Sequence, residues 1–226
     1  MPQICHRATL ESAYNALRHV RVAGWRRMTF NSSFNFLRFV VLVTACWLAL
    51  LPAGARAAVT HFSGGGVAGC TLKNSTYTCD SLSQSDDITI GNGYTVAVAG
   101  DVAFTYFQTL KMSGSAALRA AGNLNLTGLQ TANLQVAGGT LAAGGAFTLG
   151  AVEQTVTANV SAASVTTTGP AARINGSVTA TGLIDLVSSS TITGAVSTGS
   201  IKTSSNVTLG AGLAATGAID LGSNVS

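Results

Sequence analysis

The sequence predicts an all-β chain: a single-stranded β-helix (β-solenoid) of about seven coils, following an N-terminal signal helix. Three observations predict it. Charged residues make up only 9% of the 226 residues, and Gly, Ala, Ser, Thr and Val dominate. A five-residue pattern, Gly-x-apolar-x-apolar, recurs along the chain. A second apolar series runs in step with it at the same drifting period.

The composition is too apolar for a disordered tail and too poor in Leu, Glu and Lys for a helical bundle. Small and β-branched residues suit short, closely stacked strands joined by tight turns. The pentad appears at Gly100-Asp-Val102-Ala-Phe104, Gly122-Asn-Leu124-Asn-Leu126 and Gly145-Ala-Phe147-Thr-Leu149. It returns at Gly182-Leu-Ile184-Asp-Leu186, Gly199-Ser-Ile201-Lys-Thr203 and Gly217-Ala-Ile219-Asp-Leu221, with Ala163-Ser-Val165-Thr-Thr167 filling the gap. Successive copies lie 22, 23, 18, 19, 17 and 18 residues apart. The companion series is Ile88, Leu110, Leu134, Val156, Ile174, Ile192, Val207 and Val225.

Alternation of apolar and polar residues places one set on one face of a strand. A period near 18 residues accommodates three short strands and three corners, which is one coil, and coils stack at about 4.8 Å. The 22–24-residue coils at the start are expected to be wider or to loop out at corners, for example at Thr105–Gln108 and Gly128–Ala132. Phe104, Phe107 and Phe147 fall in that half, where a larger interior would hold them. From Arg173 onward the expected filling is Val, Ile, Leu and Ala.

Three segments follow: a leader over 1–57, an N-terminal cap over 58–87 and the repeats over 88–226. In the leader, residues 39–51 form an apolar run of 13, preceded by Arg38 and followed by Pro52 and Ala55-Arg56-Ala57. A basic flank, a short apolar core and a small-x-small site make a secretory signal, with cleavage expected between Ala57 and Ala58. The run is shorter than the roughly 20 residues of a membrane span, so membrane contact is expected only through the uncleaved signal. Met28 offers an alternative start. Val43-Thr44-Ala45-Cys46 is similar to a lipobox, but Trp47–Leu51 prolong the apolar run, which favours Cys46 as part of the signal core.

The formal charge of +4 divides unevenly. Arg7, Arg18, Arg21, Arg26, Arg27, Arg38 and Arg56 against Glu11 give the leader +6, so the remainder carries −2. No basic face remains to neutralise phosphates, and a nucleic-acid partner is not expected. Cys70 and Cys79, an even and closely spaced pair in an exported chain, are expected to form a disulfide. Without ligand histidines beside them they make a poor zinc site.

The fourth position of the pentad, between its two apolar residues, faces outward. It reads Ala103, Asn125, Thr148, Thr166, Asp185, Lys202 and Asp220 in successive coils. Asp185, Lys202 and Asp220 therefore form a charge ladder of structural character. A lysine between the carboxylates, and two coils between Asp185 and Asp220, argue against a glycosidase pair. His61 lies too near the N-terminus left by cleavage after Ala57 for a catalytic triad, Asp86-Asp87 lack the companions of a Ca²⁺ site, and Gly64-Gly65-Gly66 lack the lysine and helix of a phosphate loop. No catalytic residue, metal site or cofactor is expected, and the chain is read as a non-enzyme.

The stretch from His61-Phe-Ser-Gly-Gly-Gly through Cys70, Tyr77-Thr-Cys79 and Asp87-Ile-Thr-Ile-Gly91 resembles the opening of MshQ-type proteins. These accompany the mannose-sensitive haemagglutinin pilus of Gram-negative bacteria. Ile174-Asn-Gly-Ser-Val178 and Ser205-Asn-Val-Thr-Leu-Gly210 are similar to the repeats of polymer-forming, bactofilin-like proteins. The resemblance implies an exported, non-catalytic structural module with pilus or envelope components as partners, located in the periplasm, on the outer surface or outside the cell. Self-association through an open solenoid end, as a scaffold, and an adhesin passenger segment are the alternatives. Ser223-Asn-Val-Ser226 reads as the opening strand of a further coil, as expected of a fragment or of an end that stacks on another copy.

Overall fold

The computed structural model describes residues 58–150 and 152–226. The apolar run of the leader, Cys46 and Ala57 lie outside them. The described chain is a β-solenoid whose coils average about 19 residues, with strands stacked into three faces. The repeat region forms one compact unit with its own apolar core.

Each face is a parallel ladder with a column of inward side chains. On the first face the column runs Phe62, Ile90, Met112, Val136, Val156, Ile174, Ile192 and Leu209. On the second it runs Tyr77, Val96, Leu118, Leu141, Val160, Val178, Val196 and Leu213. The third holds Val102, Leu124, Phe147, Val165, Ile184, Ile201 and Ile219. The third column consists of pentad residues throughout, so the pentad marks one face of the coil. About eight coils are present, one more than the repeats alone predict.

The additional coil lies within the segment read as a separate cap. Val59–Phe62 pairs in parallel with Asp87–Ile90, and Thr76–Cys79 pairs in parallel with Thr95–Val98. Residues 58–87 are thus built into the solenoid as its first coil, carrying a hairpin of their own.

The companion series mixes two columns. Leu134 stands over Leu110, but it is Val136 that stands over Val156. Likewise Ile192 pairs with Leu209, not Val207. A shift of two residues leaves the same side of a strand facing inward, so apolar alternation alone does not distinguish the columns.

Coil length changes at two corners. From the first face to the second, Met112 to Leu118 is six positions, whereas Ile174 to Val178 is four. The strands Leu134–Ala143 and Thr155–Ala162 continue through this corner, with a register shift between Ala137 and Thr140, and fuse both faces into a 15-stranded sheet. From the third face back to the first, Leu124 to Val136 is twelve positions and Ile184 to Ile192 is eight. The early coils loop out here, at Thr105–Gln108 and again before the 3₁₀ turn Thr131–Asn133.

The pentad glycine occupies the corner leading to the third face. A Cβ at Gly199 would stand 2.5 Å from the Thr181 carbonyl oxygen, and one at Gly217 would stand 2.7 Å from that of Gly199. Coils one strand spacing apart leave no room for a side chain there.

The interior is packed through the first seven coils, whereas in the last Ile219 and Leu221 are half exposed. Phe62, Tyr77, Phe104 and Phe147 fill the early coils, and Ile, Val and Leu the later ones. Phe107 departs from expectation: it is 81% exposed, on the tip of a looped-out corner. Ser190, Thr198 and Thr203 join the apolar filling of the later coils, each with a hydrogen-bonded hydroxyl.

Candidate functional site

The most elaborate local structure is at the start of the solenoid. Cys70–Lys73 and Thr76–Cys79 form an antiparallel hairpin closed by Asn74 and Ser75, with φ of 49° and 61°. Positive φ at both turn residues matches the twist of the flanking strands. Cys70 and Cys79 face each other across the hairpin and are joined by a disulfide, with Cα atoms 4.1 Å apart.

Tyr77 points inward from this hairpin and is fully buried. Its ring meets Phe62 edge-on at 4.9 Å. Its hydroxyl accepts from the Gly64 N–H at 2.7 Å and donates to the Gly65 carbonyl at 2.8 Å. The triple glycine therefore crosses over the first coil, anchored to a buried phenol. Beside it opens a cavity of about 170 Å³ lined by Thr60, Phe62, Val67, Cys70, Leu82 and Asp86 among others.

The acidic residues near this end bond to the frame. Asp86 Oδ2 accepts from the Thr60 hydroxyl at 3.2 Å, and Asp87 Oδ1 accepts from the Thr109 N–H at 2.7 Å. Ala58 is exposed, and its carbonyl accepts from the Asp87 N–H at 2.8 Å. His61 lies outward, opposite Thr89.

Asp185, Lys202 and Asp220 stand directly above one another on the third face, Asp185 opposite Lys202 and Lys202 opposite Asp220. The column continues through Thr166, Thr148, Asn125 and Ala103. Adjacent members alternate in sign at one strand spacing, which favours the stacked register. Among the described residues, no three His, Cys, Asp or Glu side chains come together as metal ligands would.

Two features escaped the sequence reading. Gln108 and Gln154 are buried at the looped corners, 1% and 0% exposed. The Gln108 amide accepts from the Thr105 N–H and donates to the Ser83 and Asp86 carbonyls. Gln154 accepts from the Gly150 N–H and donates to the Leu126 and Leu129 carbonyls. Each binds two successive coils, satisfying backbone groups that a regular ladder would otherwise pair. The second feature is the exposed pair Tyr106 and Phe107, in edge-to-face contact at 5.3 Å on the tip held by Gln108. A polar residue flanked by two loop segments is the only sequence signal for the glutamines, and it is weak.

No protein-family model, curated protein or solved structure matches the chain.

Proposed function

We propose that the chain is an exported structural module, a rigid spacer of the cell envelope or of a pilus-associated assembly, that performs no catalysis. The observation that carries this reading is the unbroken stacking of all three faces. A body with a filled interior and repeated, mostly small outward side chains is suited to holding a distance. The Cys70–Cys79 disulfide is compatible with an oxidising compartment. The resemblance of residues 61–91 to MshQ-type proteins supports pilus association, and the 13-residue apolar run before Ala55-Arg56-Ala57 supports export.

Expression of the full chain with a C-terminal tag, followed by cell fractionation and N-terminal sequencing, tests the export reading. The expected product is an envelope or secreted species beginning at Ala58. A cytoplasmic product retaining the leader would overturn it. For the spacer, electron microscopy of residues 58–226 should show single short rods, seven strand spacings or about 34 Å long. Rods joined end to end would favour the polymer-forming scaffold instead.

A further inference from the structure

Six Asn-x-Ser/Thr triplets, the acceptor motif for N-linked sugar, lie among the described residues. They open at Asn74, Asn125, Asn159, Asn175, Asn206 and Asn224. The fold separates the first from the rest. In Asn125-Leu126-Thr127, Asn159-Val160-Ser161 and Asn206-Val207-Thr208 the middle residue is buried in the solenoid interior. Presenting such a triplet to an enzyme would mean pulling a strand out of its coil. The amides of these later asparagines are also engaged. Asn125 Oδ1 accepts from the Thr127 N–H and Asn159 Oδ1 from the Ser177 N–H. Asn175 Nδ2 donates to the Thr157 hydroxyl, and Asn224 Nδ2 donates to Asn206 Oδ1.

Asn74-Ser75-Thr76 is built differently. Asn74 and Ser75 are the two turn residues of the Cys70–Cys79 hairpin, and both are exposed. Thr76 opens the following strand, in which Tyr77 and Cys79 face inward, so Thr76 faces outward. The acceptor amide and the hydroxyl two residues on therefore share a surface turn, on a hairpin closed by a disulfide. A second observation falls at the same place. Cys70–Lys73 is the outermost strand of its sheet among the described residues, and Leu72 on it is a large apolar residue facing solvent. An open edge of this kind invites pairing with other chains unless it is shielded. A bulky, well-hydrated sugar two residues beyond Leu72 supplies that shield.

We propose that Asn74 is a site of N-linked glycosylation, with the Thr76 hydroxyl read by the transferase. The assignment rests on the export proposed above, because acceptor triplets of this kind are used on surface turns of secreted chains. The co-substrate is a sugar activated at its anomeric carbon as a glycosyl diphosphate, carried on a lipid or on a nucleoside. Asn74 Nδ2 forms a bond to the anomeric carbon, and the bond from that carbon to the diphosphate oxygen breaks. The diphosphate leaves with the bonding pair, and one amide proton passes to a base on the transferase.

The test is mass spectrometry, of the intact chain and of its peptides, on three forms expressed in the organism that encodes it. These are the full chain, the chain lacking residues 1–57, and the chain with a proven secretory signal in place of residues 1–57. The exported forms are expected to carry the added mass of one or more sugars on the peptide containing Asn74. Sugar on the exported forms alone identifies a lipid-linked donor, and sugar on the leaderless form as well identifies a nucleotide-linked donor in the cytoplasm. Asn74→Gln and Thr76→Val should each abolish the added mass, and Thr76→Ser should keep it. A full chain that stays in the cytoplasm, beside a modified chain carrying the replacement signal, would contradict the export reading and still support the site. Three results would each overturn the inference: Asn74 unmodified in all three forms, sugar on Asn159 or Asn206 in its place, or a Thr76→Val chain that is still glycosylated.

Discussion

The first four coils and the last four share the same faces, the first coil supplying only two of the three, but solve their corners differently. In the early coils the chain is longer, and side chains complete the stacking. Asn92 Oδ1 accepts from the Ser115 N–H, Asp101 Oδ1 from the Asn123 N–H and Asn123 Oδ1 from the Ala146 N–H, each reaching one coil onward. Gln108 and Gln154 reach the other way inside the looped corners, their amide N–H groups donating to the Asp86 and Leu129 carbonyls one coil back. In the late coils the corners tighten, and although Asn159 Oδ1 still accepts from the Ser177 N–H, backbone groups also meet each other directly, as in Gly194 N–H to the Gly176 carbonyl and Ser200 N–H to the Gly182 carbonyl. Only small hydroxyls remain inside, such as Thr167 against Ser190 at 3.0 Å. Coil length is therefore set at the corners, while the faces keep a constant design.

The comparison predicts where each half is vulnerable. The largest effect is expected at Phe147, fully buried in the early half. Phe147→Ala should cost about 3–5 kcal/mol in urea unfolding, against about 0.5–1.5 for Ile201→Val in the late half. Equal losses would show that the aromatic filling is no more important than the aliphatic.

Next come the corners. Gly139 has φ of 92°, and a Cβ there would overlap the Ala116 carbonyl of the preceding coil. Gly139→Ala should therefore cost about 3 kcal/mol through strain and overpacking together. Gly93, with φ of 80° and open space around its Cβ position, carries strain alone. Gly93→Ala should cost about 1 kcal/mol by the same thermal or chemical unfolding measurement. Gln154→Leu removes the partner of three backbone groups and should lower stability by about 1–3 kcal/mol. In hydrogen exchange that loss should be concentrated at residues 150–156.

The smallest effect belongs to the charge ladder. Lys202→Glu turns an alternating column into three carboxylates and should cost about 0.5 kcal/mol at low salt. The difference should fade at 1 M salt, where the Debye length is about 3 Å.

Much of this architecture could be read in the sequence because its constraints repeat. The pentad carries a glycine where, as at Gly199 and Gly217, the preceding coil's carbonyl fills the Cβ position, and two apolar residues that face one interior. Both recur once per coil, and the outward column from Ala103 to Asp220 follows from the same register. What stayed hidden breaks the period. Phe62 and Ile90 stack although 28 positions separate them, because a whole hairpin is inserted in the first coil. That hairpin turns on Asn74-Ser75 rather than on a glycine, so its turn signal is faint. Phe107 lies in a loop where alternation no longer tells inside from outside, and it points to solvent. Columns two residues apart, such as those of Leu134 and Val136, were indistinguishable for the reason that makes strands amphipathic at all.

The central claim is that successive coils stack in one unbroken register along the third face. A pair of spin labels at Ala103→Cys and Asp220→Cys, the two ends of its outward column, measures this directly in residues 58–226. Six strand spacings separate the sites, so pulsed electron resonance should give one narrow distance distribution centred near 29 Å. A broad distribution, or a centre well away from that distance, would contradict the solenoid.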